Sequence, residues 1–274
     1  MITNRTIGAL MIAALTFAAV GCGKPEAAKT GEKKEVMVFA AASLKEAMQE
    51  LGKAFEAKES SAHIVFNFAG SNVLAQQIVA TKKADLFLSA SENWVDTVEQ
   101  AKRVVAGSRK DLLSNKLVVI ANSASTWTVA EPCAIAALPF KNIALGDPKA
   151  VPAGKYAHEW LVSVQCNGHT AWDSIEKRVS PAPDVRAALG MVVADPDVIG
   201  IAYISDQLAF KDKTKVLFEV ADGPKIRYAI AQITDSPDAE DARKFAEFLS
   251  GPDARAIFEK HGFIALPAAG STTP

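Results

Sequence analysis

The sequence predicts an α/β fold in which sheets of mostly parallel strands are flanked by helices. Short apolar runs, suited to strands buried on both faces, alternate with segments of ten to fifteen residues that have helical periodicity. The chain has 274 residues, of which 49% are hydrophobic and 22% are charged. This is the composition of a globular protein, and the length suits one large domain or two smaller ones.

The individual elements follow from these runs. Strands are predicted at residues 35–41, 63–68, 85–89, 117–121, 142–145, 199–203 and 228–233. Helices are predicted directly after Ser43 and after Ser71, and at residues 94–102, 154–164, 185–193, 238–249 and 252–261. Strands separated by helices of this length indicate parallel pairing.

The charge balance excludes one class of function. Thirty basic and thirty-one acidic residues give a formal net charge of −1. A nucleic-acid-binding protein needs a basic surface to neutralise phosphates, and this chain has no such excess. The same balance offers no cationic patch to an acidic ligand.

The N-terminus predicts export. Residues 1–21 carry one charge, Arg5, before an apolar run at 7–20 that is too short for a convincing membrane span, which is the pattern of a signal peptide. Residues 19–22 (AVGC) resemble a lipobox, in which Cys22 would become a lipidated N-terminus; the alternative is an ordinary signal peptide with a cysteine nearby. Residues 22–34 then form the lipidated end and a flexible tether. The protein is expected outside the cytoplasm, in the periplasm or on the outer cell surface.

Export affects the interpretation of the other two cysteines. Outside the cytoplasm Cys133 and Cys166 are expected to form a disulfide that closes a loop of about 33 residues. A metal site is the alternative, because His169 follows Cys166 closely and His158 is near in sequence. Free buried thiols are the third possibility.

Four strand-to-helix junctions carry the residues with chemical potential. Ser43 and Ser71 are predicted to be N-caps, residues 146–154 open a third helix, and Asp184 caps a fourth. Helix starts have unpaired N–H groups and a partial positive charge, and ligands of parallel sheets bind at the carboxyl ends of strands. Each junction alone is explained by capping and turn chemistry. Together they would form a pocket for an oxyanion.

An ordered set of motifs resembles one family, the molybdate-binding proteins of ABC transporters. The motifs are VFAAASL at 38–44, FAGS at 68–71, LAQQI at 74–78, ADLFLSA at 84–90 with Trp94, GDP at 146–148 with VPAG at 151–154, PDVR at 183–186, GIAY at 200–203 with Ser205 and Asp206, and GP at 251–252. They run in order from about residue 36 to 266. Gly70 and Asn72 depart from the family where some relatives have serines, and the cysteine pair is not a family hallmark.

The resemblance implies a type II periplasmic-binding-protein fold with two lobes, a two-crossover hinge and no enzymatic activity. Lobe one would contain residues 35–115 and 227–266, lobe two residues 116–226, and residues 267–274 a C-terminal tail. The oxyanion, molybdate or tungstate, would be held without a cofactor or a cation ligand, and a monomer would deliver it to a permease driven by an ATPase. The implied ligands are the hydroxyls and amides of Ser43 and Ser71, the amides of Ala153 and Val185, and the Tyr203 hydroxyl.

These donors favour a fully deprotonated anion over phosphate, which retains a proton near neutral pH. Sulfate is not excluded, because it differs from molybdate mainly in size. Two other functions remain open. A hydrolase would use Ser43 or Ser71 with a histidine, although neither serine lies in a GxSxG motif. A receptor for a small organic anion would aim an arginine at the ligand, for which Arg186 is the candidate.

Overall fold

A computed structural model describes residues 34–59 and 62–267. The strands are β1 (Lys34–Ala41), β2 (Ala62–Ala69), β3 (Leu86–Ser89), β4 (Lys110–Ser114), β5 (Leu117–Asn122), β6 (Asn142–Gly146), β7 (Gln165–Cys166), β8 (His169–Thr170), β9 (Val179–Ala182), β10 (Val198–Tyr203), β11 (Thr214–Glu219), β12 (Tyr228–Gln232) and β13 (Ile264–Ala265). The α-helices are α1 (Lys45–Lys58), α2 (Ser71–Ala80), α3 (Glu92–Gln100), α4 (Pro152–Ser163), α5 (Ala171–Ile175), α6 (Val185–Ala194), α7 (Ile204–Ala209), α8 (Ala239–Leu249) and α9 (Pro252–Lys260). The predicted signal peptide, the predicted lipid anchor at Cys22 and residues 268–274 of the predicted tail lie outside the described residues.

The strands form two main sheets, one in each lobe of an α/β protein. The first has the order β13-β4-β12-β3-β1-β2, and the second has the order β11-β5-β10-β6-β9. The chain passes from the first sheet to the second at residues 115–116 and returns at residues 220–227. The two-lobed α/β fold expected from the sequence is therefore present.

Each sheet is mixed, with a parallel group of strands and an antiparallel partner. In the first sheet β1 pairs in parallel with β2 and β3, whereas β12 is antiparallel to β3 and β4. In the second sheet β6 pairs in parallel with β9 and β10, whereas β5 is antiparallel to β10 and β11. Strands β5 and β12 are those that enter a lobe from the other one.

Most of the strands predicted from the sequence are buried ones, whereas β2 was predicted although it is a half-buried edge strand. Every residue of β3 and β10 is buried, as are all but the last of β5, so each of these strands is a continuous apolar run. The sequence analysis missed the short hairpin strands β7 and β8 and, in the main sheets, β4, β9, β11 and β13. Three of the last four are edge strands, in which one side is unpaired, and β9 even contains Pro181, which a central strand would not tolerate.

A disulfide joins Cys133 and Cys166, whose Cα atoms are 5.6 Å apart. It ties the short 3-10 helix at Pro132–Ala137 to the β7–β8 hairpin. The bond leaves no thiolate for the alternative metal site. Within residues 34–59 and 62–267 there is no cluster of three histidine, cysteine or acidic side chains that could hold a metal ion.

No helix in the described part of the chain is long and apolar enough to cross a membrane.

Candidate ligand site

A small cavity lies between the carboxyl ends of strands from the two sheets. The first lobe contributes the ends of β1 and β2 and the segment after β3; the second contributes the starts of α4 and α6 and the end of β10. The residues that line it are Ala41, Ala42, Ser43, Ala69, Gly70, Ser71, Ala90, Val151, Pro152, Ala153, Asp184, Val185 and Tyr203. All five predicted ligand residues are in this group, although they come from five separate segments.

The two serines are not helix caps, contrary to the prediction. Ser43 lies inside a 3-10 turn, Ala42–Leu44, that precedes α1, and no side chain caps either element. Ser71 is the first residue of α2, and Gly70 occupies the N-cap position. Both serines are buried, with 3% and 1% of their surface exposed. Their hydroxyls therefore serve something other than a helix end.

Each serine hydroxyl has a partner that leaves it able to bind a ligand. The Ser71 Oγ accepts a hydrogen bond from the Ala90 amide at 3.0 Å, so the hydroxyl proton of Ser71 remains free to be donated. The Ser43 Oγ lies 2.9 Å from the Tyr228 hydroxyl. The hydrolase hypothesis requires a serine that is hydrogen-bonded to a histidine. Neither serine has such a hydrogen bond in the described structure.

The two predicted amide ligands lie in the first turns of long helices. Pro152 begins α4 without an N–H, so Ala153 supplies its first amide. At the start of α6 the Asp184 carboxylate accepts hydrogen bonds from the second and third amides of the helix, those of Arg186 at 2.8 Å and Ala187 at 2.9 Å. The predicted cap is thus confirmed. The first amide of α6, that of Val185, is not used by this cap. It lies at the N-terminal end of the helix, where the helix dipole favours an anion.

The Tyr203 hydroxyl is the most informative group in the cavity. The residue is 1% exposed, and its hydroxyl has no hydrogen-bond partner among the described residues. Burial raises the pKa of Tyr203 well above its usual value, so the group is a neutral O–H donor at any physiological pH. An unpaired buried hydroxyl costs about 1–3 kcal/mol. Its orientation into a cavity of other donors indicates that a ligand acceptor belongs there.

The cavity has no positive side chain among its described lining residues, and Asp184 is its only charged one. Arg186, the residue expected of an organic-anion receptor, is not among the lining residues. The Arg186 guanidinium pairs with Asp206 at 2.7 Å and with the carboxylate of Glu46. Burial raises the pKa of Asp206 to about 6, and the attraction of Arg186 opposes that rise.

The lobes touch each other on both sides of the cavity. The Trp94 indole N–H, on α3, donates to the Ala150 carbonyl of the second lobe at 3.1 Å. Arg186 of the second lobe reaches Glu46 of the first. At Gly70 a Cβ atom would lie 2.8 Å from the Pro183 carbonyl oxygen, so only glycine permits this approach. The arrangement is that of a closed cleft.

Two buried residues next to the cavity were missed by the sequence analysis. Tyr228, which contacts Ser43, was interpreted only as the start of a strand, and Asn115 lies in the first crossover. Neither belongs to a recognisable motif. Their role depends on distant parts of the chain meeting at the hinge, and local spacing contains no signal for that.

The fold and the cavity define a class: a two-lobed binding protein whose candidate ligand site is the cavity between its lobes. Comparison with known proteins agrees with this. The family model of bacterial extracellular solute-binding proteins matches residues 36–264. The chain belongs to that family, whose members bind solutes and are not enzymes.

Individual relatives cover nearly the whole chain. The molybdate-binding protein ModA of Escherichia coli is 37% identical over 92% of this chain and 95% of its own length. The protein of the same name from Haemophilus influenzae is 31% identical over 94% and 96%. Among solved structures, the periplasmic molybdate-binding protein of Azotobacter vinelandii superposes with a TM-score of 0.71 over 85% of this chain and 99% of its own, at 21% identity. The family resemblance expected from the sequence motifs is confirmed.

Proposed function

We propose that this protein captures molybdate outside the cytoplasm and closes its two lobes around the anion. One observation carries the proposal: the buried, unpartnered Tyr203 hydroxyl faces a cavity that also contains two serine hydroxyls and two helix-start amides. The molybdate-binding relatives described above support the choice of anion.

The cavity can bind a dianion without a cation. Amides in the first turn of a helix carry part of the helix dipole, and α4 and α6 both point their first turns at the cavity. Hydrogen bonds to a charged acceptor contribute about 1.5–3 kcal/mol each. Ser43 and Ser71 belong to the first lobe and the other three ligands to the second. A ligand held by both therefore favours the closed form over the open form.

The same donors disfavour phosphate. Hydrogen phosphate must donate its proton to an acceptor, and the only carboxylate among the described lining residues, Asp184, serves as the N-cap of α6, with one oxygen on the Arg186 and Ala187 amides. Molybdate, tungstate and sulfate have no proton at neutral pH. We therefore expect tungstate to bind as molybdate does, and sulfate is the alternative oxyanion.

A small organic anion is a weaker candidate. Such a ligand would need room and a positive side chain, whereas the cavity is small and Arg186 is committed to two carboxylates.

The remaining steps of transport form part of the proposal. A monomer, anchored to the membrane through Cys22, would present its closed form to an ABC permease driven by an ATPase. The lipobox-like residues 19–22 support the anchor. Mass spectrometry of the membrane fraction, with a Cys22→Ala control, would detect the acyl chains.

Calorimetric titration with molybdate, tungstate, sulfate and phosphate tests the ligand. Heat with the two metal oxyanions and none with phosphate is expected; no heat with either metal oxyanion would refute the proposal. Ser71→Ala should weaken binding roughly 10- to 150-fold, the equivalent of one charge-assisted hydrogen bond. Ser89→Ala is the matched control, because Ser89 is equally buried but its hydroxyl bonds the Ser91 carbonyl outside the cavity. It should change the dissociation constant by less than about twofold.

A further inference from the structure

A buried chain of hydrogen bonds runs from the hinge to Ser43. Asn115, in the first crossover, places its side-chain nitrogen 2.9 Å from the Ser205 hydroxyl and 3.4 Å from the Tyr228 hydroxyl. The Tyr228 hydroxyl is in turn 2.9 Å from the Ser43 Oγ. All four side chains are at most 5% exposed. The chain therefore connects the first crossover, the start of β12 and the second lobe to one of the proposed ligand groups.

The direction of this chain follows from one backbone contact. The Lys116 amide donates to the Asn115 Oδ1 at 2.9 Å, which identifies that atom as the oxygen. The other atom of the Asn115 amide is then a nitrogen that can only donate, so the Tyr228 oxygen accepts from it. Tyr228 must place its own proton elsewhere, and the Ser43 Oγ is the hydrogen-bonded acceptor that the described structure provides. The opposite direction would leave a buried proton unpaired, at a cost of about 1–3 kcal/mol.

Burial also keeps the proton on Tyr228. It raises the pKa of that residue well above the usual value for a tyrosine, so the hydroxyl is neutral at every pH at which the protein works.

We propose that Tyr228 and Asn115 are positioning residues that hold the Ser43 hydroxyl in the donor orientation, and that this makes the site select unprotonated oxyanions. A free serine hydroxyl can either donate or accept, so it could take the proton of hydrogen phosphate. A hydroxyl that already accepts from Tyr228 has its own proton directed to the ligand instead. The inference rests on the proposed function, since it concerns the anion bound at that site.

The test is a double-mutant cycle of Tyr228→Phe and Ser43→Ala. Competition between phosphate and molybdate, followed by calorimetry, gives the ratio of the two dissociation constants for each variant. Tyr228→Phe frees Ser43 to accept, so phosphate binding should appear and the preference for molybdate should fall at least tenfold. In the Ser43→Ala background the same tyrosine change should leave the ratio unaltered.

A merely structural role for Tyr228 would weaken both anions equally. An unchanged ratio, or no phosphate binding by the Tyr228→Phe variant, would overturn the inference. The wild-type titration distinguishes failure of this inference from failure of the proposed function. Wild-type protein that does not bind molybdate refutes the proposed function itself.

Asn115→Asp offers a second, independent test. The new carboxylate is an acceptor, so Tyr228 would donate to it and Ser43 would donate to Tyr228, which removes the Ser43 proton from the ligand. Molybdate affinity should fall roughly tenfold or more without any change in the residues that line the cavity. Unchanged affinity in a folded Asn115→Asp protein would contradict the direction assigned to the chain.

Discussion

Removal of one oxygen atom, in Tyr203→Phe, should change affinity and stability in opposite directions. In the ligand-free closed protein the Tyr203 hydroxyl is buried without a partner, so it contributes nothing to folding and carries a desolvation cost. In the complex the same hydroxyl donates to the anion. The variant therefore loses a ligand bond and also loses an unsatisfied polar group.

Both magnitudes can be worked from the structure. The lost bond is charge-assisted and buried, so molybdate affinity should fall by about 1.5–3 kcal/mol, roughly 10- to 150-fold in the dissociation constant. In the closed form, Tyr203→Phe removes the desolvation cost of the hydroxyl, about 1–3 kcal/mol. In an open form, in which water reaches the hydroxyl, the cost removed is close to zero. The free variant should thus be as stable as the wild type or more stable.

Two measurements on the same protein decide the matter. Calorimetry with molybdate, using displacement of a weaker anion if the affinity is high, measures the binding loss. Urea unfolding without anion measures stability. Tyr156→Phe is the matched control, because it removes the hydroxyl of a tyrosine that does not line the cavity. Unchanged molybdate affinity in Tyr203→Phe, or a ligand-free stability more than 1 kcal/mol below wild type, would refute the reasoning.

Three further predictions concern the surroundings of the site. Glu46→Gln removes the contact with Arg186 between the lobes and should weaken molybdate binding less than tenfold, by an amount that shrinks as salt is added, because Glu46 is partly exposed; a loss independent of salt would contradict this. Replacing Cys133 and Cys166 by serine should lower the free energy of unfolding by roughly 3–4 kcal/mol, as expected for a 33-residue separation, with molybdate affinity unchanged by calorimetry. The pKa of Asp206 is about 6 in the folded protein, against an ordinary value of 3.8, so the folded state binds this proton more tightly than the unfolded state does. The stability that proton binding contributes is therefore lost as pH rises from about 4 to 6. Urea unfolding across that range should show this loss in the wild type and not in Asp206→Asn.

The sequence predicted the buried architecture better than the edges. Central strands such as β5 and β10 are long apolar runs, because both of their faces are covered, and such runs are visible without tertiary information. Edge strands such as β9 and β11 are partly solvated and have no comparable pattern. The mixed pairing of the sheets was also missed, because strand direction depends on which lobe the chain comes from.

The candidate site shows the same division. The motifs around Ser43, Ser71, Ala153, Val185 and Tyr203 were sufficient to select these residues, and the structure places all five at one cavity. The reason given for the serines was wrong, since neither caps a helix. Local spacing shows that a serine precedes a helix. It does not show where the hydroxyl finds its partner.

The sequence by itself determined most of the buried strands and the longer helices, which residues could donate hydrogen bonds to an anion, and why near-zero net charge is compatible with an anion ligand. These properties depend on local periodicity and on the chemistry of helix starts. Only the tertiary structure decided that the donors converge, that Arg186 pairs with Glu46 and Asp206 and does not line the cavity, and that Tyr228 and Asn115 form hydrogen bonds leading to Ser43. Most of those contacts join residues that lie far apart in the chain, such as Ser43 with Tyr228 and Asn115 with Tyr228, and a short segment of sequence contains no information about them.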